Sequence, residues 1–142
     1  MNNNIKTIHK NDCFRIDSYN DFIYNIIFTG EFVNSNTCLQ DLYSAIDYCL
    51  EKKEKFALIF DTTKIKSMPQ LDLIVGLINK IKKHGDELDK YLICTCILVS
   101  LFGKVLMDCI LCMYTPKLPF TIEKEIKQCL SFIYNIKNKN LI

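Results

Sequence analysis

The tightest constraint on this chain is an uninterrupted apolar run, Phe56 to Phe60, that stops at Asp61. A run without polar alternation has no face to give to water, so it reads as a strand covered on both sides. A polar loop, Thr62 to Met68, follows, and Pro69 stands where a helix would begin. Proline suits a first helical turn because its missing N–H would be unpaired there anyway. Leu71, Ile74, Val75, Ile78 and Ile81 then recur at helical spacing. The segment reads strand, loop, helix, with the loop at the carboxyl end of a central strand. Open α/β sheets bind ligands at that edge.

The same reasoning places the other elements. Two short strands, Cys13–Ser18 and Phe22–Thr29, flank Tyr19-Asn20-Asp21, a hairpin signal because Asn and Asp favour turns. Ser35 or Asn36 can cap a helix running from Thr37 to about Lys53, with Leu39, Leu42, Ile46 and Leu50 on one face. Gly85 is the expected left-handed stop of the helix from Pro69 to about Lys83. A strand over Tyr91–Val99, a helix over Ser100–Tyr114, a short strand around Leu118–Thr121 and a helix over Glu123–Ile136 complete the chain. Pro116 and Pro119 confine the last strand to a short or edge position. The order ββαβαβαβα predicts a single α/β domain over residues 12–136, with a five-stranded mixed sheet and four helices. Residues 1–11 read as a flexible N-terminus and 137–142 as a frayed tail.

Composition removes several functions. A formal net charge of +2 is too small to argue for nucleic acid. With 17 lysines and one arginine, dense bidentate phosphate recognition is also excluded. That bias is the mark of an AT-rich coding genome, as in many large DNA viruses, some protists and low-GC bacteria. Tyr91 to Thr115 carries only Lys104 and Asp108 as charges, which invites a membrane-spanning reading. The stretch divides, however, into a β-branched and aromatic half and a half whose two charges share one helix face. A strand and an amphipathic helix explain it better than an integral span.

Eight cysteines raise the question of a disulfide framework. The start, MNNNIKTIHKND, has no apolar signal core, and most of the cysteines fall on apolar positions of expected elements. Free cysteine packs as a small hydrophobe. Cys94 and Cys96 sit on alternate strand positions, and Cys109 and Cys112 form a C-x-x-C in the last turns of a helix. Zinc would need a second ligand pair, and a redox pair would sit at a helix N-terminus. The expectation is eight reduced thiols, no metal or other cofactor, and a reducing, cytoplasmic setting.

Three segments resemble the STAS family, named for sulphate transporters and anti-sigma-factor antagonists. Thr29-Gly30-Glu31-Phe32 is similar to the family's Gly-Glu-Leu segment. Phe56–Met68 resembles its third strand ending in Asp with a short loop, and Phe120–Leu130 its closing strand and acidic helix start. The resemblance spans Cys13 to Phe132 and implies a STAS-like fold that binds a protein partner. In the antagonists a phosphorylatable serine opens the second helix, within an Asp-Ser-Ser-Gly-like turn. Here Met68 precedes Pro69-Gln70-Leu71-Asp72, so that serine and glycine are both missing.

Three functions follow. The leading expectation is a non-enzymatic interaction module that captures a protein partner, or a second copy of itself, through Thr62, Thr63, Ser67 and Gln70. Those hydroxyls and the adjoining helix N-terminus would favour an acidic or phosphorylated group. The alternative is a binder of a small apolar ligand or lipid, supported by the apolar half from Tyr91 to Tyr114. The third is an enzyme using Asp61. His9 and His84 are too far apart in the chain to suggest a nucleophile–base pair, so this reading ranks last.

Overall fold

The computed structural model describes residues 4–29, 36–65 and 71–139. Its six strands are β1 (Ile5–Lys10), β2 (Phe14–Tyr19), β3 (Ile23–Phe28), β4 (Phe56–Asp61), β5 (Leu92–Leu98) and β6 (Phe120–Glu123). Five helices join or follow them: α1 (Asn36–Glu51), α2 (Leu71–Lys83), α3 (Gly85–Tyr91), α4 (Leu101–Met113) and α5 (Ile126–Lys139). The strands lie side by side in chain order. β1, β2 and β3 are antiparallel neighbours, whereas β3 to β6 are parallel. The sheet is therefore mixed, as expected, and β4 lies inside it between β3 and β5.

Two elements depart from the expected order. β1 is a sixth strand, formed within the segment 1–11 read as flexible. All six of its residues are exposed, and a register shift between Thr7 and His9 breaks the alternation that would have revealed it. Its pairing is reinforced where the Thr7 hydroxyl donates to Asp17 Oδ1 at 2.8 Å, beside Arg15 Nε at 3.2 Å from the same oxygen. The fifth helix is α3. Gly85 begins it rather than stopping α2, and no described glycine has a positive φ. His84 holds that corner. Its Nδ1 lies 3.5 Å from Glu87, and its Nε2 is 3.3 Å from Asp47 Oδ1 but outside hydrogen-bond geometry. The hairpin turn is as expected, with Asn20 and Asp21 at φ 53 and 64, the positive pair a type I′ turn requires.

Crossovers between adjacent parallel strands are right-handed, so α1, the α2–α3 pair and α4 all fall on one face of the sheet. On that face Phe14, Ile26, Phe56 and Leu58 pack with Leu42 and Ile46 of α1, Ile78 of α2 and Leu88 of α3. α5 lies on the opposite face, where Cys129 and Ile133 cover Ile23, Ala57, Ile59, Cys94 and Cys96. The amides of Lys124 and Glu125 donate to Gln128 Oε1 and close the first turn of α5, which runs on to Lys139 instead of fraying after Ile136. β5 serves both faces through a bulge. One residue of β4, Ala57, stands opposite both Ile93 and Cys94. Cys94 and Cys96 thereby turn to α5, and Thr95 and Ile97 to the helices of the first face.

Four of the described cysteines belong to the core. Cys49, Cys94, Cys96 and Cys129 are buried thiols, Cys109 is half-buried and Cys112 exposed. Cys13, in contrast, is disulfide-bonded, which corrects the expectation of eight reduced thiols and removes a premise of the reducing-compartment inference. The burial argument did not reach Cys13 because it precedes β2, in a turn where its amide donates to Asn11 Oδ1 at 2.8 Å. Among the described residues no three His, Cys, Asp or Glu side chains gather as a metal site, and no helix is long and apolar enough to cross a membrane.

Cys49 supplies a test of this core. Burial pushes its thiol up to about 11, against a smaller opposing pull from Lys52. As pH rises the unfolded chain loses this proton first, so the contribution to stability is full below the ordinary value of 9.0 and is lost towards about 11. The urea midpoint of Cys49→Ala is expected to fall less steeply than that of wild type between about pH 8.5 and 10.5. Parallel profiles would show that Cys49 ionises alike in both states.

Candidate functional site

In the loop after β4, the expected site, the hydroxyls of Thr62 and Thr63 have partners. Thr62 is buried, and its hydroxyl and amide donate to the Leu98 carbonyl at 2.7 and 2.9 Å. Thr63 is exposed, and its hydroxyl and amide donate to Asp61 Oδ1 at 2.6 and 3.0 Å, an Asx-type turn. The two threonines are neighbours with opposite directions, one closing the β4–β5 edge and the other bonding its own loop. Ile65 then folds back into the first-face core. Ser67 and Gln70 lie outside the described residues, as do Met68, Pro69 and the Gly30-Glu31-Phe32 segment. The topology also removes the crevice argument. Binding crevices in open sheets form where the strand order reverses. Here every crossover steps the same way, so the parallel strands contain no reversal.

A cavity opens elsewhere, on the first face. Between the sheet and the splayed helices α2, α3 and α4 lies a cleft of about 610 Å³. Leu58 and Phe60 of β4, Thr95 and Ile97 of β5 and Phe120 of β6 form its floor. Leu77, Ile78 and Ile81 of α2 make one wall, Leu88 of α3 the lower end, and Met107, Ile110 and Leu111 of α4, with Tyr114 that caps it, the other wall. Thr62 and Ile65 close the end at the carboxyl edge of the strands. The lining is apolar nearly throughout, in the size range of small-molecule sites.

α4 is the reason the cleft exists. It is the most apolar helix of the chain, yet Met107 is its one buried side chain among those described. Ile110, Leu111 and Tyr114 are half-buried and face the cleft, Met113 lines it while 39% exposed, and Val105 is exposed away from it. Lys104 and Asp108 provide the exposed stripe that sequence spacing implied. A helix this apolar ordinarily buries its stripe directly on the sheet. Here Ile110 packs against the first-face core and also lines the cleft.

The charged groups of the lining gather at one end. α2 and α4 run antiparallel to the strands, so Lys80, Lys82, His84, Asp89 and Lys117 all meet at the amino edge. Lys80 Nζ is 3.4 Å from Asp47 Oδ2 and lies over the Tyr43 ring at 5.3 Å. Burial raises the Tyr114 phenol above its ordinary value, and the Asp89 carboxylate adds to the rise. Sequence reasoning found Thr62, for a different reason, and singled out the apolar half that supplies α4. Thr95 and Ile97 lie in that same half, whereas Leu58 and Leu88 were not named as lining residues. Their apolar pattern is the same whether a strand is covered or faces a void.

The fold and the cleft together define an α/β protein with one mixed sheet and a largely apolar cavity under its crossover helices. No family model matches this chain, and neither a curated protein nor a solved structure does.

Proposed function

We propose that this protein is a non-enzymatic binding domain that holds a small apolar molecule in the cleft between β4–β6 and α4. The observation that carries this is a cavity of about 610 Å³ between the sheet and the crossover helices, lined mostly by apolar side chains. Filling it would cover the apolar surface that Ile110, Leu111 and Tyr114 still leave exposed to the cleft, at about 25 cal/mol per Å² covered. The protein-partner reading through Thr62, Thr63, Ser67 and Gln70 ranks second. Its support is the STAS-like order read from the sequence, whereas the Thr62 and Thr63 hydroxyls have partners of their own. Turnover by Asp61 ranks third, because that carboxylate already accepts two bonds from Thr63.

The test fills the cleft from within. Leu111→Trp projects an indole into space already present, so its effect on the melting temperature is expected to be small. Wild-type protein is expected to bind the neutral dye Nile red with a rise in fluorescence, and Leu111→Trp to weaken that binding about tenfold or more. If the variant binds the dye as tightly as wild type, the dye lies elsewhere and the cleft is not the site.

A further inference from the structure

We infer that the cleft takes a single-chain amphiphile with an anionic head group, its tail directed to Thr62 and its head held at Lys82 and Lys117. This rests on the cleft being a ligand site and adds the chemical class and orientation of the ligand. The first argument is polarity. The half of the cleft near Thr62, Ile65, Ile97 and Met107 carries no charged residue, and every charged lining residue lies at the opposite end. An apolar tail is favoured along the first half, each methylene buried there adding to the affinity. A head group must reach water, which the amino edge supplies.

The second argument is the balance of charge at that edge. Lys80 is paired with Asp47, whereas Asp89 of the lining has no ion-pair partner among the described residues. Lys82 and Lys117 are exposed, and neither has an ion-pair partner among the described residues. Two unpaired ammonium groups against that one carboxylate leave the mouth net positive, which favours an anion over a cation or a neutral head. The third argument is length. β5 has seven residues, which span roughly 20 Å, so one extended tail fits along the floor. The chemistry required is an anionic group on one acyl chain, whether a fatty-acid carboxylate or a lysophospholipid phosphate.

Nile-red displacement below the micellar range tests this with palmitate, palmitoyl lysophosphatidate and hexadecanol. At least one anionic ligand is expected to displace the dye from wild-type protein at about tenfold lower concentration than hexadecanol. The better of the two anions identifies the head group. The double variant Lys82→Glu/Lys117→Glu is expected to lose that preference while hexadecanol competes as before. The milder pair Lys82→Gln/Lys117→Gln is expected to fall between. Equal displacement by all three ligands in wild type, or an unchanged preference in both variants, overturns the inference while leaving an apolar site. A wild-type protein that does not bind Nile red at all overturns the cleft reading itself.

Discussion

Phe56→Ala is expected to lower the free energy of unfolding by about 3–5 kcal/mol, read from the urea midpoint at unchanged slope. Phe56 is the first residue of β4 and is 2% exposed. Its ring meets that of Tyr24 at 5.9 Å, and its backbone pairs with Leu92 of β5. Removing it leaves a hole beneath the crossover helices that the two neighbouring strands cannot close, because their ladders fix the spacing. Domains of this size have about 5–15 kcal/mol in total, so the variant would approach the limit of folding. Val75→Ala on α2 is the control. Val75 is 39% exposed, and its loss should change stability by within about 0.5 kcal/mol. A Phe56→Ala effect as small as that of Val75→Ala would mean that β4 is not an interior strand.

Ile133→Asp is expected to have an effect of at least the same size by a different route. Ile133 is fully buried on α5, among Ile23, Ile59, Cys94 and Cys96. The hydrogen-bond capacity nearby is already used in part, since the Cys96 thiol donates to the Cys129 carbonyl at 3.7 Å. An aspartate there would carry a buried charge without a partner, and the helix would leave the sheet before that state was populated. Hydrogen exchange should then show lost protection along α5 and β5. β1 and β2, held through Thr7 and Asp17, should change less. Exchange in α5 and β5 indistinguishable from wild type would show that α5 is not what seals this face.

The elements that could be read from the sequence are those whose side chains answer a single question, buried or not. Phe56–Phe60 has no polar alternation, and α2 repeats Ile74, Ile78 and Ile81 at helical spacing, so both were legible. β1 was not, because its bulge places Ile5 and Ile8 three apart and because it buries nothing. α3 was not, because Leu88 is its one buried residue within a polar segment. The cleft depends on the distance between α4 and the sheet. The same Met107, Ile110 and Tyr114 would pack a closed core if the helix stood closer. Thr62 was named for its hydroxyl at a sheet edge, but the strand order that would make that edge a crevice is a property of connections, which residue patterns do not encode.

The placement of α5 has a consequence for the growing chain. Because the crossover helices all fall on one side, each strand from β3 onward acquires that cover as it is made. The other side, with Ala57, Ile59, Cys94 and Cys96, has α5 as its cover among the described residues, and α5 follows every strand. A ribosome adding about 5–20 residues per second needs roughly 2–8 s to pass from Leu98 to Lys139. For that interval the nascent sheet presents an apolar surface with reactive thiols to the surrounding solution. Yield in cells should therefore depend on how quickly translation clears this last stretch, and a stall before Cys129 would release a sheet that sticks to its own copies.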